Sequence, residues 1–112
     1  MAEDCIFCKI IKGDIPSAKV YEDDKMIAIN DVAPAAPVHV LLLPKEHTRD
    51  VTTADAELLA YMIGKVKMIA EKTGIAEKGF RIVINTGDDG GQTVKHLHIH
   101  LIGGKVLGWP PC

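Results

Sequence analysis

"KHLHIHLIGG", residues 95–104, sets histidines at 96, 98 and 100 with one aliphatic residue between each pair. In an extended chain successive side chains point to opposite faces, so His96, His98 and His100 are predicted on one face of a β-strand. Leu97, Ile99 and Leu101 take the other face and belong to a core. Neighbouring histidines on one strand face stand about 7 Å apart at Cα, close enough to act on a single ligand. Three of the chain's five histidines fall in these five positions.

The remaining sequence builds a sheet around that strand. "PVHVLLLP" (37–44) reads as a largely buried strand bracketed by prolines. "KVYE" (19–22) and "MIAIND" (26–31), separated by Asp23 and Asp24, read as a hairpin. "FRIVIN" (80–85) reaches the histidine strand through the loop "TGDDGGQTVK" (86–95). Over 55–73, Leu58, Leu59, Met62, Ile63, Val66, Ile69 and Ala70 keep a helical period. The spacing predicts one long helix with Thr52 or Thr53 as N-cap and Gly74 as its stop. A short helix is expected over Cys5–Ile11, ended by Gly13. Strands that follow one another without helical crossovers imply an α+β fold: a five-stranded antiparallel sheet with one long and one short helix. The long helix is expected to cover one sheet face.

A chain of 112 residues suits a single domain spanning 1–112. A formal charge of -2 with 25% charged residues gives neither a basic footprint for nucleic acid nor an acidic tail, so any bound anion is expected to be small. No apolar run approaches the roughly 18 residues of a membrane span, and "MAEDCIFCKI" is acidic where a signal peptide is basic. A cytoplasmic protein without membrane or nucleic-acid partners is expected. Three cysteines, an odd number, argue against a disulfide framework and direct attention to metal or thiol chemistry.

The loop before the histidines carries a second signal. Consecutive backbone N–H groups in a glycine-rich turn can form a concave anion site. In "GDDGGQT" (87–93), Gly90 and Gly91 let the backbone approach, and Gln92 and Thr93 add side-chain donors. A P-loop is ruled out: the Gly-Lys-Ser/Thr ending is missing and a strand follows where a helix is needed. Beside three histidines in register, the loop reads as a phosphate cradle.

The pattern His-φ-His-φ-His-φ-φ, His96 to Ile102, resembles that of the histidine triad family. "CIFCKII" with "IP" after it, "YEDD", "DVAPAAPVHVLLLPKEH", "VINTGDDGGQTVKHLHIHLIGG" and the terminal "WPP" are similar to its Hint branch over essentially the whole chain. The resemblance implies a homodimer with one continuous sheet and a hydrolase of purine nucleoside phosphoramidates, of AMP or GMP type. It implies no organic cofactor.

Cleaving a P–N bond needs a nucleophile at phosphorus and a proton for the departing amine, and imidazole can serve as either. By the resemblance His98 attacks the α-phosphorus, forming a nucleotidyl-histidine that water hydrolyses. Such a nucleophile must be neutral, as an ordinary imidazole mostly is at pH 7. His100 is expected to bond phosphate oxygens, His39 to orient the group, and Gln92 and Thr93 to hold phosphate and leaving group. Asp31 matches the position whose carboxylate accepts both ribose hydroxyls; a bare reading makes it a strand-end turn residue. Ile6, Phe7, Ile10, Ile29 and Val32 are expected around the base, although each alone also suits a core. Asn85 and Gly91 match the phosphate side and Asn30 the pocket rim. Trp109, the only tryptophan, is expected to reach the partner's site. Asn30 and Lys95 depart from what many relatives carry at those positions.

Two other readings use nearly the same residues. One is a binding module that holds nucleotide without turnover. The other is a hydrolase whose three histidines hold a catalytic metal, though that chemistry wants a general base and an open coordination position. Separately, Cys5 and Cys8 stand three apart, so on a helical turn both thiols face one way. Tetrahedral zinc needs two more ligands, and His47 and His96 are the candidates, a Cys2His2 set that some relatives resemble. The alternatives are two small buried cysteines, or a redox pair lacking the βαβ context such pairs have. A purely structural zinc implies that the chemistry of His98 survives loss of both thiols.

Overall fold

The computed structural model describes residues 4–111. Cys112, the third cysteine, lies outside the described residues. The elements run α1 (Ile6–Lys12), β1 (Lys19–Glu22), β2 (Met26–Asn30), β3 (Val38–Pro44), α2 (Ala56–Gly64), α3 (Val66–Lys72), β4 (Phe80–Val83) and β5 (Ile99–Gly103). The five strands form one sheet in the order β1-β2-β3-β5-β4, every neighbouring pair antiparallel.

Helix α1 begins one residue later than expected because Cys5 is its cap: the Cys5 sulfur accepts the N–H of Cys8 at 3.4 Å. Gly13, at φ +90°, closes the other end through its N–H to Ile10 O. The β1–β2 turn is organised by Asp23, whose Oδ1 accepts the N–H groups of Lys25 at 2.8 Å and Met26 at 2.9 Å. Its Oδ2 accepts the hydroxyls of Tyr21 and, from α2, Tyr61. One carboxylate thus ties the hairpin to the helical layer.

The predicted long helix forms as α2 and α3 joined through Lys65, which keeps helical angles (φ −88°, ψ −11°) while its N–H takes the shorter path to Met62 O at 3.1 Å. Regular bonding resumes with Ile69 N–H to Lys65 O. The break follows Gly64, the weakest helix former in the segment. The cap is also displaced. Asp55 occupies the N-cap position without a side-chain cap bond. Thr52 and Thr53 are engaged earlier in the chain, Thr52 Oγ1 donating to Asp50 Oδ1 at 2.6 Å and Thr53 Oγ1 to Asp50 O at 3.2 Å.

The sheet is covered on both faces. Met26 and Ala28 of β2, Val40 and Leu42 of β3, and Ile99 and Leu101 of β5 pack with Met62, Val66 and Ile69 of α2 and α3. On the opposite face Ile27, Ile29, Leu41 and Leu43 form a smaller core with Phe7 of α1. Alternation along each strand sorts the two sets. The histidine segment keeps the alternation, with Leu97, Ile99 and Leu101 buried on the α2–α3 side.

Only His100 of the three histidines lies within β5, although the sequence predicts a strand from residue 96. The β3–β5 register pairs Leu42 with Ile99, and its continuation would set Leu97 opposite Pro44. Proline has no N–H to extend a ladder. The Pro44 carbonyl instead takes the side chain of His96, at 2.9 Å from Nε2.

Candidate active site and metal centre

The histidines part company around α1. His96 is fully buried and turns toward the start of that helix, where Cys5 and Cys8 meet His47 from the segment after β3. His96 Nδ1 lies 3.5 Å from Cys5 Sγ, 3.6 Å from Cys8 Sγ and 3.1 Å from His47 Nδ1, and Cys8 Sγ lies 3.2 Å from His47 Nδ1. With zinc–sulfur bonds of about 2.3 Å and zinc–nitrogen bonds of about 2.0 Å, tetrahedral ligand atoms stand roughly 3.3 to 3.8 Å apart, so this set has the size of one coordination sphere. A carbonyl can only accept, so His96 carries its proton on Nε2, toward Pro44 O, and presents a lone pair at Nδ1. Such outer bonds fix the tautomer of a metal-binding histidine. Burial holds the His96 ring down at about 4, against an ordinary 6.5, which favours the neutral ligand form.

His98 and His100 face a different set of groups. His98 is buried at 7% exposure, with the edge of Phe7 against it at a centroid separation of 5.0 Å. Its Nδ1 lies 2.7 Å from the carbonyl oxygen of His96, so Nδ1 is the donor and Nε2 keeps its lone pair. His100 sits alongside, ring centroids 5.0 Å apart. His39 of β3 completes the row. The Ala35 N–H donates to His39 Nδ1 at 3.0 Å, which places the His39 proton on Nε2, 2.9 Å from His100 Nδ1 and 3.4 Å from Asp31 Oδ2. His100 therefore accepts at Nδ1 and carries its own proton on Nε2. Burial foremost, then the neighbouring His98 and His39, bring His100 down to about 4. The two catalytic candidates are thus of opposite kind: His98 offers a lone pair at Nε2 and His100 an N–H.

Asp31, His39 and His100 also bring three ligand atoms together. They suit a metal poorly. Coordination through His39 Nε2 would require the proton on Nδ1, where the Ala35 N–H already points. The reading in which all three triad histidines hold one metal fails on the same geometry, because His96 is directed to the cysteines.

The loop is more self-contained than a phosphate cradle requires. The N–H of Gly91 donates to Asp88 O and that of Gln92 to Gly87 O, each at 3.0 Å. The buried Gln92 amide is engaged at both ends, donating to Arg49 O at 2.7 Å and Val94 O at 3.1 Å and accepting from Gly87 N–H. Asn85 Nδ2 donates to Gly90 O at 2.7 Å. A Cβ at Gly90 would meet Thr86 O at 2.2 Å, so only glycine fits this turn. Thr93 is exposed and lines a surface hollow with Cys5, His47 and Lys95. Lys95 itself spans to Asp88 and to Gln92 O.

The expected base-contacting residues divide. Phe7 and Ile29 are buried in the smaller core and Ile10 packs against it, whereas Ile6 is half exposed and Val32 almost wholly so. Asn30 is exposed, and Trp109 is 82% exposed. Asp31 spends one oxygen on Ala33 N–H at 2.8 Å and directs the other to His39. What residue patterns do not signal is the backbone's part in the site: Ala35 N–H, Pro44 O and His96 O each decide a tautomer.

The sequence pattern of the HIT domain matches residues 12–107. The chain belongs to the HIT family. An uncharacterized HIT-like protein of Synechococcus elongatus is 54% identical over 99% of this chain and 99% of its own. A 14 kDa zinc-binding protein of Brassica juncea is 47% identical, covering 96% of this chain and 99% of that one. The purine nucleoside phosphoramidase of Escherichia coli K12 is 46% identical, covering 96% and 93%. Among solved structures, a HIT family hydrolase from Legionella pneumophila superposes with a TM-score of 0.94 at 41% identity, over 97% of this chain and 100% of that chain.

Proposed function

We propose that this protein hydrolyses purine nucleoside phosphoramidates through a covalent nucleotidyl-His98 intermediate. The observation that carries the reading is the 2.7 Å bond from His98 Nδ1 to His96 O, which fixes the tautomer whose Nε2 lone pair is free to attack phosphorus. As His98 Nε2 bonds to phosphorus the substrate P–N bond breaks and the amine leaves with a proton from water, while His100 donates a hydrogen bond from Nε2 to a phosphoryl oxygen as charge shifts. His39 holds the His100 proton on Nε2 by occupying His100 Nδ1. Asp31 reads the ribose with the base lying toward the open flank by Ile6 and Val32. Water then cleaves the P–N bond to His98 and restores the ring.

The Cys5–Cys8–His47–His96 centre is proposed to hold a structural zinc, a reading supported by the ligand spacing and by the Brassica juncea relative's name. Thiols in such a site suit the reducing cytoplasm. A homodimer is proposed through the outer edge of β4, where Phe80 at 39% and Ile82 at 37% exposure flank a ladder left unpaired among the described residues. The experiment that tests the catalytic reading is mass spectrometry of protein quenched during turnover of an adenosine or guanosine phosphoramidate. An acid-labile nucleotide adduct on His98 is expected, and turnover with an adduct elsewhere overturns it.

A further inference from the structure

His96 belongs to both sites at once. Its ring is held at Nε2 by Pro44 O and at Nδ1 among Cys5, Cys8 and His47. Its carbonyl accepts the Nδ1–H of His98. The same peptide unit is gripped on its other side, where the Leu97 N–H donates to Thr48 O at 2.7 Å, and Thr48 directly follows His47. The β3–β5 ladder begins only at Ile99, so sheet bonding does not fix this peptide. What fixes it are two segments, 47–48 and 96–97, each carrying one of the two histidines of the metal centre.

We propose that the Cys5–Cys8–His47–His96 centre, when it holds a metal, sets the orientation and tautomer of His98, with His96 as a positioning residue for the nucleophile. This rests on the reading of His98 as the nucleophile. The physical chain is short. A metal pins the two imidazoles against each other, the pinned residues clamp the 96–97 peptide from both sides, and the clamped carbonyl keeps the His98 proton on Nδ1. Released from the metal, the His47 and His96 segments separate and the carbonyl turns. His98 then also populates the form protonated on Nε2, whose lone pair faces away from substrate. The metal need not touch substrate. A purely structural zinc, by contrast, leaves the chemistry of His98 intact when the thiols are replaced.

The test compares zinc-loaded protein, chelator-depleted protein, and the Cys5→Ser and Cys5→Ser/Cys8→Ser variants, with zinc measured by elemental analysis. NMR of the 15N-labelled imidazoles identifies the His98 tautomer, and kcat and nucleotide Kd are measured separately. The loaded protein should show His98 protonated on Nδ1 alone. Loss of metal should give a tautomer mixture and a kcat lower by about tenfold or more, the effect typical of disturbed outer-shell groups, with Kd changed less than about twofold. If the double variant does not fold, the single variant and the depleted wild type carry the comparison. A His98 that stays wholly Nδ1-protonated without metal overturns the proposal, as does an unchanged kcat. If the loaded protein turns over no phosphoramidate yet its His98 tautomer responds to metal, the substrate reading fails and the positioning stands.

Discussion

His39 Nε2 and His100 Nδ1 lie 2.9 Å apart, and because Ala35 N–H occupies the far nitrogen of His39 the shared proton belongs to His39. The bond requires a lone pair on His100, hence a neutral ring. His100 is held at about 4 in the folded protein, chiefly by burial, against an ordinary 6.5. The unfolded chain therefore binds this proton at higher pH than the native one. Its contribution to stability is full above pH 6.5, declines as pH falls, and is lost through pH 4. Chemical denaturation across this range should show His100→Gln flattening that part of the profile. An unchanged slope would remove His100 from the account.

Replacing His98 with asparagine or glycine should nearly abolish turnover while nucleotide binding persists. The ring that attacks is gone, whereas the groups around ribose and phosphate remain. Losses of about 10² or more are usual for a removed catalytic group, so a variant retaining more than about a tenth of the wild-type rate counts against the nucleophile.

Asp31→Ala should raise KM for ribonucleotides and narrow the advantage over 2′-deoxy substrates. Its carboxylate also stands 3.4 Å from His39 Nε2, so a smaller fall in kcat is expected beside the KM effect. Equal performance of ribo and deoxy substrates in the wild type would show that Asp31 does not read the sugar.

Sedimentation at micromolar concentration should give about twice the chain mass of 12.1 kDa. Changing Ile82 to lysine on the exposed β4 edge should shift the population toward monomer, because a charge would be buried in the paired sheet. A wild type that sediments only as single chains is incompatible with the edge pairing.

Asp23→Asn should destabilise the fold by about 1 to 3 kcal/mol, since the carboxylate gathers two backbone N–H groups and two tyrosine hydroxyls. Burial pushes that carboxyl up, yet the hydroxyls of Tyr61 and Tyr21 and the N–H groups of Lys25 and Met26 outweigh it and hold it well below the carboxylate range. Its stabilisation is present above about pH 4 and lost in stronger acid. Denaturant midpoints of Asp23→Asn and wild type should therefore converge as the pH is lowered, and a constant gap would refute the assignment.

The sequence by itself determined the antiparallel sheet, the face on which Leu97, Ile99 and Leu101 are buried, and the meeting of Cys5 and Cys8 on one turn. These follow from periodicity and local spacing, which the backbone imposes on any chain. Where β5 begins depended on a partner distant along the chain, whereas the break after Gly64 and the displaced cap came from near neighbours whose competing bonds the hydrophobic period does not reveal. Pro44 ends the β3–β5 ladder, and Asp50 takes the threonine hydroxyls otherwise available for a cap. The division of labour among three histidines that look alike in "HLHIH" was likewise tertiary. His96 became a metal-centre ligand candidate, His98 a ring with a free Nε2 and His100 a donor because Pro44 O accepts from Nε2 of His96, His96 O accepts from Nδ1 of His98 and His39 donates to Nδ1 of His100. An imidazole's role is set by which of its two nitrogens carries the proton. That choice is made by the hydrogen-bond partner the fold brings to the other nitrogen, and no spacing of residues along the chain encodes it.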